Sequence, residues 1–197
     1  MAIMRSEVKK SGGNWLGVKT GTLSKITCEK ERFSSWAEVY LKFEFNVEGS
    51  EYPRTLKICG SFDKETNGQI KDCTLLKHIT FLLDALGEQG GVNHLGKWVD
   101  SNEHPVDNIV DYLNKYIGTK LTIFVYKELS KNGQTYTTVH NKVMADTPEA
   151  PKELQGYIDF LRSKGYIKEA PENMTQQSTP VVMNGSGTMS DIDIANL

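Results

Sequence analysis

Aromatic and basic side chains alternate with apolar ones along residues 36–47, Trp-Ala-Glu-Val-Tyr-Leu-Lys-Phe-Glu-Phe-Asn-Val. Successive side chains of a strand point to opposite faces. One face, predicted to be core, holds Ala37, Val39, Leu41, Phe43, Phe45 and Val47. The other holds Trp36, Tyr40 and Lys42. Flat rings beside cations stack on unpaired bases and neutralise phosphates, so this strand predicts a surface for single-stranded nucleic acid.

Other predicted strands and loops carry the same residue types on their outer faces. The candidate nucleic-acid-binding residues are Trp36, Tyr40, Lys42, Arg54, Lys57, Phe124, Tyr126, Lys131, Tyr136, His140 and Lys142, with Lys25 and Phe33 beside them. Each ring contributes roughly 1–3 kcal/mol by stacking on a base, and each cation adds salt-dependent affinity. Two alternatives stay open: Phe124 as a core residue, and Tyr126 with Tyr136 as a cross-strand pair that only stabilises a hairpin.

A mainly β fold with helices is predicted to position these residues. Strands are expected at 17–29, 36–47, 52–62, 120–128 and 134–145, and helices at 72–87, 104–116 and 152–164. Gly21 indicates a bulge or bend in the first strand, and Asn132-Gly133 indicates a hairpin turn. Five strands with a helical segment between the third and fourth is the order of the OB-fold. This is a Greek-key barrel that binds oligonucleotides on its strand 2–3 face.

Charge and composition divide the chain of 197 residues into three parts. We predict a flexible arm over 1–14, an OB-fold domain over 15–168 and a flexible acidic tail over 169–197. The tail has four of the 25 acidic residues and none of the 23 basic ones. The rest of the chain is therefore mildly basic, although the net charge of the whole is −2.

A cytoplasmic location is predicted, which is the host cytoplasm if the chain is phage-encoded. The three cysteines are odd in number and widely spaced, which favours reduced thiols over a disulfide framework. The N-terminal residues lack the apolar region of a signal peptide. No apolar run reaches the roughly 20 residues needed to span a bilayer, so no membrane partner is expected.

The C-terminal tip is a second candidate binding element, for a protein partner. Its residues are Asp191, Ile192, Asp193, Ile194 and Leu197, together with the terminal carboxylate. An acidic-apolar tip suits a basic groove on a partner, with apolar anchors for affinity and charges for steering. A second alternative is that the tip binds in the chain's own groove and mimics nucleic acid there. A third is that the tip is a disordered end with no binding role.

Motifs of catalysis and of metal binding are weak, so neither enzymatic activity nor a cofactor is expected. The sequence has no phosphate-binding loop, no nucleophile elbow and no His-Glu-x-x-His. Cys73 and His78 lack the paired spacing of a zinc site. Asp107 and Asp111, four residues apart on a predicted helix, leave a small metal-dependent nuclease as an alternative.

Three segments and the acidic tip together resemble the phage-encoded single-stranded-DNA-binding proteins. The segments are Gly-Thr-Leu-Ser-Lys-Ile at 21–26, Trp-Ala-Glu-Val-Tyr-Leu-Lys-Phe-Glu-Phe at 36–45 and Leu-Leu-Lys-His-Ile-Thr-Phe-Leu-Leu-Asp-Ala-Leu-Gly at 75–87. The resemblance covers about residues 15–145 and the tail.

The resemblance implies an OB-fold that coats single-stranded DNA in replication and recombination, and an acidic tail that recruits replication or recombination proteins. This chain departs from the pattern in closing on Leu197 rather than an aromatic residue, with only two acids near its end. Its helical segment between strands 3 and 4 is also long. The leading alternative is a phage structural or assembly protein whose barrel and tail contact other proteins.

Overall fold

An antiparallel sheet of six strands dominates the computed structural model, which describes residues 15–130, 132–167 and 169–170. The elements in chain order are β1 Gly17–Cys28, β2 Val39–Val47, β3 Arg54–Gly60, α1 Thr74–Leu86, β4 Gly91–Val92, β5 Trp98–Val99, α2 Ile109–Leu113, β6 Lys120–Leu129, β7 Thr135–Val139, β8 Met144–Ala145 and α3 Ala150–Ser163. Short 3-10 helices occupy Lys30–Phe33 and Asn114–Tyr116. The prediction of a mainly β protein with helices is confirmed.

The sheet has the strand order β3-β2-β1-β6-β7, and β8 pairs with β6. Every apolar residue at alternate positions of β2 is buried, from Val39 to Val47, as the period of two predicts. Gly21 on β1 permits a close approach between strands, because a Cβ there would lie 2.6 Å from Ile123 Cδ1. The bulge itself comes slightly later, between Leu23 and Lys25.

α1 packs its apolar stripe into the main core, on the inner side of the sheet. Leu75, Ile79, Leu82 and Leu86 are buried there, at the spacing of one helix face. The helix ends at Gly87, whose φ of +71° is the left-handed conformation that favours glycine at this position. None of the helices in the described ranges is long and apolar enough to cross a bilayer.

α3 forms a second, smaller core on the opposite face of the sheet. Leu154 and Ile158 of this helix enclose Phe124 of β6, and all three side chains are almost completely buried. Thr122 is buried as well, so β6 is covered on both faces. The expectation that Phe124 faces outward to nucleic acid is therefore wrong, because the apolar stripe of α3 lies over it.

Several elements differ in extent from the sequence-based expectations. The predicted strand 36–47 begins at Val39, and the predicted strand 134–145 divides into β7 and β8. This division occurs where His140 Nδ1 accepts the Lys142 N–H at 2.9 Å and turns the chain. The predicted helix 104–116 shortens to α2 and a 3-10 turn. The small β4–β5 hairpin was not predicted.

The packed domain extends to Ala170, in a segment that the sequence assigned to the tail from residue 169. Glu169 forms a bridge with Glu128 of β6, and the Ala170 N–H donates to Lys127 O at 2.8 Å. Arg162 of α3 also holds the Glu169 carboxylate, with Nη2 2.7 Å from Oε1. The predicted arm, 1–14, and the remaining tail, 171–197, lie outside the described residues.

Candidate nucleic-acid interface

The outer face of β2, β3 and the second half of β1 is an open part of the sheet. α3 covers this side of the sheet at β6 and at Val18, near the start of β1. Strand pairing places Thr27, Lys42 and Lys57 in one row across this face. Lys25 lies in the next row, opposite Glu44. Lys25 and Lys57 are exposed, whereas Lys42 is half-buried and forms an ion pair with Glu29. The hydrogen bond from Lys42 lowers the pKa of the Glu29 carboxyl, although burial opposes this.

Three rings form an aromatic cluster at one end of this face: Phe33, Trp36 and Tyr40. The Phe33 and Tyr40 rings stack with their centroids 4.3 Å apart, and the Trp36 ring meets Tyr40 edge-on at 5.9 Å. The 3-10 helix brings Phe33 into this position, and the turn after it is closed by N–H groups of Trp36 and Ala37 donating to Phe33 O. The loop between β1 and β2 therefore adds two rings to the one on the strand.

The rings of the aromatic cluster differ in how much surface they offer to a ligand. Trp36 is 52% exposed, but Tyr40 is only 8% exposed because Phe33 covers it. Burial also raises the pKa of the Tyr40 hydroxyl. The expectation that Tyr40 itself receives a base is therefore corrected: Tyr40 supports Phe33 from below. The rings open to a base are Trp36 and Phe33, and Arg32 lies 5.3 Å from the Phe33 centroid.

Arg54 and Tyr136 lie where β3 and β7 come together. The Arg54 guanidinium stacks on Trp15 at 3.8 Å from the ring centroid, and its buried Nε has no hydrogen-bond partner among the described residues. Burial lowers the pKa of this guanidinium. Tyr136 is exposed and lies opposite Glu128, not Tyr126. A hydrogen bond to Glu128 raises the pKa of Tyr136 to about 12.

The structure places three further candidates, Tyr126, His140 and Lys142, away from the open face. Tyr126 stacks on the buried Phe124, and burial raises its pKa. His140 lies against Tyr157 of α3, and burial, with a smaller effect from His78, lowers its pKa to about 4. Lys142 Nζ lies 3.9 Å from the centroid of the Phe81 ring on α1. These side chains pack against helices, which the strand pattern alone does not reveal.

Lys131 and the tail residues Asp191, Ile192, Asp193, Ile194 and Leu197 lie outside the described residues. Of the original candidates, Trp36, Lys42, Lys57 and Tyr136 remain on the outer side of the sheet. The expectation that Arg54 faces outward is wrong, because Arg54 lies directly opposite the buried Phe45 and so shares the inner face of the sheet. Lys25 and Phe33, which the sequence placed beside these candidates, are on the outer side as well, and Arg32 joins them. The sequence signal for this addition is an arginine followed by an aromatic residue in the loop that precedes the key strand.

A cleft of about 810 Å³ adjoins the aromatic cluster, between the start of β2 and residues 93–109. Its apolar walls include Tyr40, Phe62 and Trp98. Glu38 also lines the cleft. The Glu38 carboxylate accepts a hydrogen bond from the Phe62 N–H at 2.8 Å and forms an ion pair with Lys64. The Lys64 hydrogen bond lowers the pKa of Glu38, although burial opposes it. Glu38 is thus an ionised acceptor at neutral pH.

A buried carboxylate, Glu88, anchors the segment that forms the outer wall of this cleft. Its Oε1 accepts the Tyr112 hydroxyl at 2.9 Å and the Gly90 N–H at 2.7 Å. Its Oε2 accepts the Tyr116 hydroxyl at 2.8 Å and pairs with Lys115 Nζ at 2.7 Å. Burial acts to raise the pKa of Glu88, but these four donors outweigh it and lower the pKa to about 2.

The two aspartates considered for metal chemistry, Asp107 and Asp111, have different surroundings. Asp111 Oδ2 accepts the Asn108 Nδ2–H at 2.7 Å, within the cap of α2, while Asp107 lines the cleft. No group of three or more potential metal-ligating His, Cys, Asp or Glu side chains occurs in the part of the chain that the structure describes.

No protein-family model and no curated protein matches this chain.

Proposed function

We propose that this chain binds single-stranded DNA along the open face of β1, β2 and β3, without strong sequence preference and without catalysis. The observation that carries the proposal is the aromatic cluster, in which the accessible Trp36 and Phe33 rest on the buried Tyr40. Rings supported in this way offer flat surfaces to unpaired bases of any type. Lys25 and Lys57 on the same face attract the phosphates.

The strand arrangement supports an OB-like barrel as the scaffold. β3 and β7 both run in the same direction as β1. β3 is related to β1 by two antiparallel pairings through β2, and β7 by two antiparallel pairings through β6. They also lie side by side, and Thr138 Oγ1 donates to Thr55 O at 3.4 Å. We propose that this contact takes the place of a ladder between β3 and β7. In OB-folds the strand 2–3 face is the oligonucleotide-binding face.

The biological setting that we propose rests on the sequence resemblance to phage-encoded single-stranded-DNA-binding proteins. In this setting the chain coats single strands exposed in phage DNA replication and recombination, within the host cytoplasm. Its acidic C-terminal tip recruits replication or recombination proteins.

A titration with oligo-dT, followed by tryptophan fluorescence at two salt concentrations, tests DNA binding directly. We expect quenching that weakens as salt is added, because phosphate contacts release counterions. The W36A variant should lose much of the affinity, whereas the matched control Y166A should not, since Tyr166 lies beyond α3 and is 72% exposed. An absence of any response from the wild-type chain would favour the alternative of a structural or assembly protein.

A further inference from the structure

The cleft beside the aromatic cluster is continuous with the proposed DNA-binding face. Tyr40 links the two, because its ring supports Phe33 and the residue also lines the cleft. Lys30, at the start of the 3-10 helix that carries Phe33, lines the cleft as well. The Ser61 hydroxyl, next to the cleft residue Phe62, donates to Trp36 O at 2.7 Å. The cleft therefore begins beside the segment that carries Phe33 and Trp36.

We propose that this cleft is a nucleobase pocket, which takes one base of the single strand that stacks on Trp36 and Phe33. This inference rests on the proposed function and assigns a second, enclosed subsite to it. The volume of about 810 Å³ lies in the usual range for small-molecule sites. Trp98 and Phe62 supply apolar walls suited to a flat ring.

Polar groups in the cleft match the edge of a base. The Glu38 carboxylate has acceptor capacity beyond its bonds to the Phe62 N–H and to Lys64, because two carboxylate oxygens offer about four lone pairs. Amino and imino groups of bases are donors that such a carboxylate accepts. Glu38 thus orients the base, while the aromatic walls provide most of the affinity.

The charge balance of the cleft favours a base over a free polyphosphate. Lys30, Lys64 and Lys97 are matched by Glu38, Glu103 and Asp107, so the lining is neutral overall. One of the lysines, Lys64, is already paired with Glu38. A compact cluster of negative charge would meet three carboxylates here, whereas a neutral ring joined to a single phosphate at the rim would not be repelled.

A chain whose only tryptophan is Trp98 reports on this pocket directly. Combining W15F and W36F keeps a ring at each position and leaves Trp98 as the sole tryptophan, since the sequence has three. The probe is fluorescently labelled oligo-dT of about 16 nucleotides, the upper end of the range for one OB-fold. We expect Trp98 fluorescence and the anisotropy of the oligonucleotide to change with the same midpoint.

The outcomes separate the pocket from the proposed function. Binding by anisotropy with an unchanged Trp98 signal would overturn the pocket and leave the function in place. No anisotropy change for the wild-type chain would overturn the function, and the pocket with it.

Variants provide a second test of the pocket. W98A removes a pocket residue, but Trp98 pairs with Val92 in the small hairpin and its loss can disturb the fold, so a second variant is needed. K97E changes an exposed rim residue and leaves the packing intact. We expect W98A to weaken oligo-dT binding about 5- to 100-fold, the effect of losing one stacked base. K97E should weaken binding more than the matched charge reversal K164E, at an exposed position beyond α3. Equal effects of K97E and K164E would contradict the pocket.

Discussion

Trp36 and Tyr40 have the same residue class and nearly the same place in the sequence, but they differ in their surroundings. Trp36 lies in the turn before β2 and is half exposed, whereas Tyr40 lies beneath Phe33. A ring that is largely exposed contributes mainly to binding. A ring that also supports a neighbouring side chain contributes to folding as well, so substitution separates the two roles.

We expect W36A to weaken single-strand binding by roughly 1–3 kcal/mol and to change stability by less than about 0.5 kcal/mol. Y40A should weaken binding and also lower the free energy of unfolding by roughly 2–4 kcal/mol, because a packed aromatic ring is removed. Y40F retains the ring and serves as the control. Urea unfolding and oligo-dT affinity, measured on the same samples, decide between these outcomes. A Y40A variant with unchanged stability would contradict the support role.

At the scale of elements, α3 determines which part of the sheet is open. It covers Phe124 of β6 and Val18 near the start of β1, and it leaves the outer face of β2 and β3 open. We expect L154A to destabilise the chain by about 2–5 kcal/mol, as a large-to-small change in a core, while the folded variant retains wild-type affinity for oligo-dT. F160A, an exposed position on the same helix, is the matched control and should be nearly neutral. Loss of affinity in the folded L154A variant would place the binding surface under α3.

The segment from Glu88 to Tyr116 depends on one ionised carboxylate. The pKa of Glu88 is about 2 in the folded chain and about 4.5 when unfolded, so its stabilisation is complete above about pH 5. That stabilisation is lost as the pH falls toward 2. We expect E88Q to be less stable than wild type by about 2–3 kcal/mol at pH 7, with a smaller difference at pH 3. Urea unfolding at the two pH values measures this, and a constant difference would contradict it.

At the scale of the whole molecule, the lysines considered for DNA binding lie on different surfaces. Lys25 and Lys57 are exposed on the open face, whereas Lys142 lies over Phe81 on α1. We expect K25A combined with K57A to reduce the slope of log affinity against log salt by about 0.7 per lysine, and K142A to leave the slope unchanged.

Single strands should bind much more tightly than duplex, because stacking needs unpaired bases. Equal affinity for both would indicate a simple basic patch.

The acidic residues near the C-terminus give a second prediction at this scale. Residues 171–197 contain Glu172, Asp191 and Asp193 and no lysine or arginine. An anionic segment tethered to a mildly basic domain competes with DNA phosphates. Deletion from Pro171 should therefore raise oligo-dT affinity modestly at low salt, and the gain should vanish near about 0.5 M salt through screening. Unchanged affinity at low salt would show that the segment does not compete.

Local patterns were sufficient to predict the main strands and α1. β2 shows why: with a side-chain period of two, residues from Val39 to Val47 can bury their apolar set in only one register. The 3.6-residue stripe of α1 and its terminal Gly87 were equally clear. Trp36 and Lys57 were assigned correctly to exposed positions, since in each case the residue's own strand or turn determines its exposure.

The sequence by itself therefore determined the main strands along the chain, the inner face of β2 and the residue types on its outer face. Only the tertiary structure decided which outward residues remain accessible. Phe124 and Tyr40 alternate outward as predicted, yet α3 covers one and Phe33 the other. The cleft beside Trp98 likewise joins residues that are far apart in sequence. The physical reason is that alternation reports the side of a strand, whereas burial depends on what distant segments place over that side.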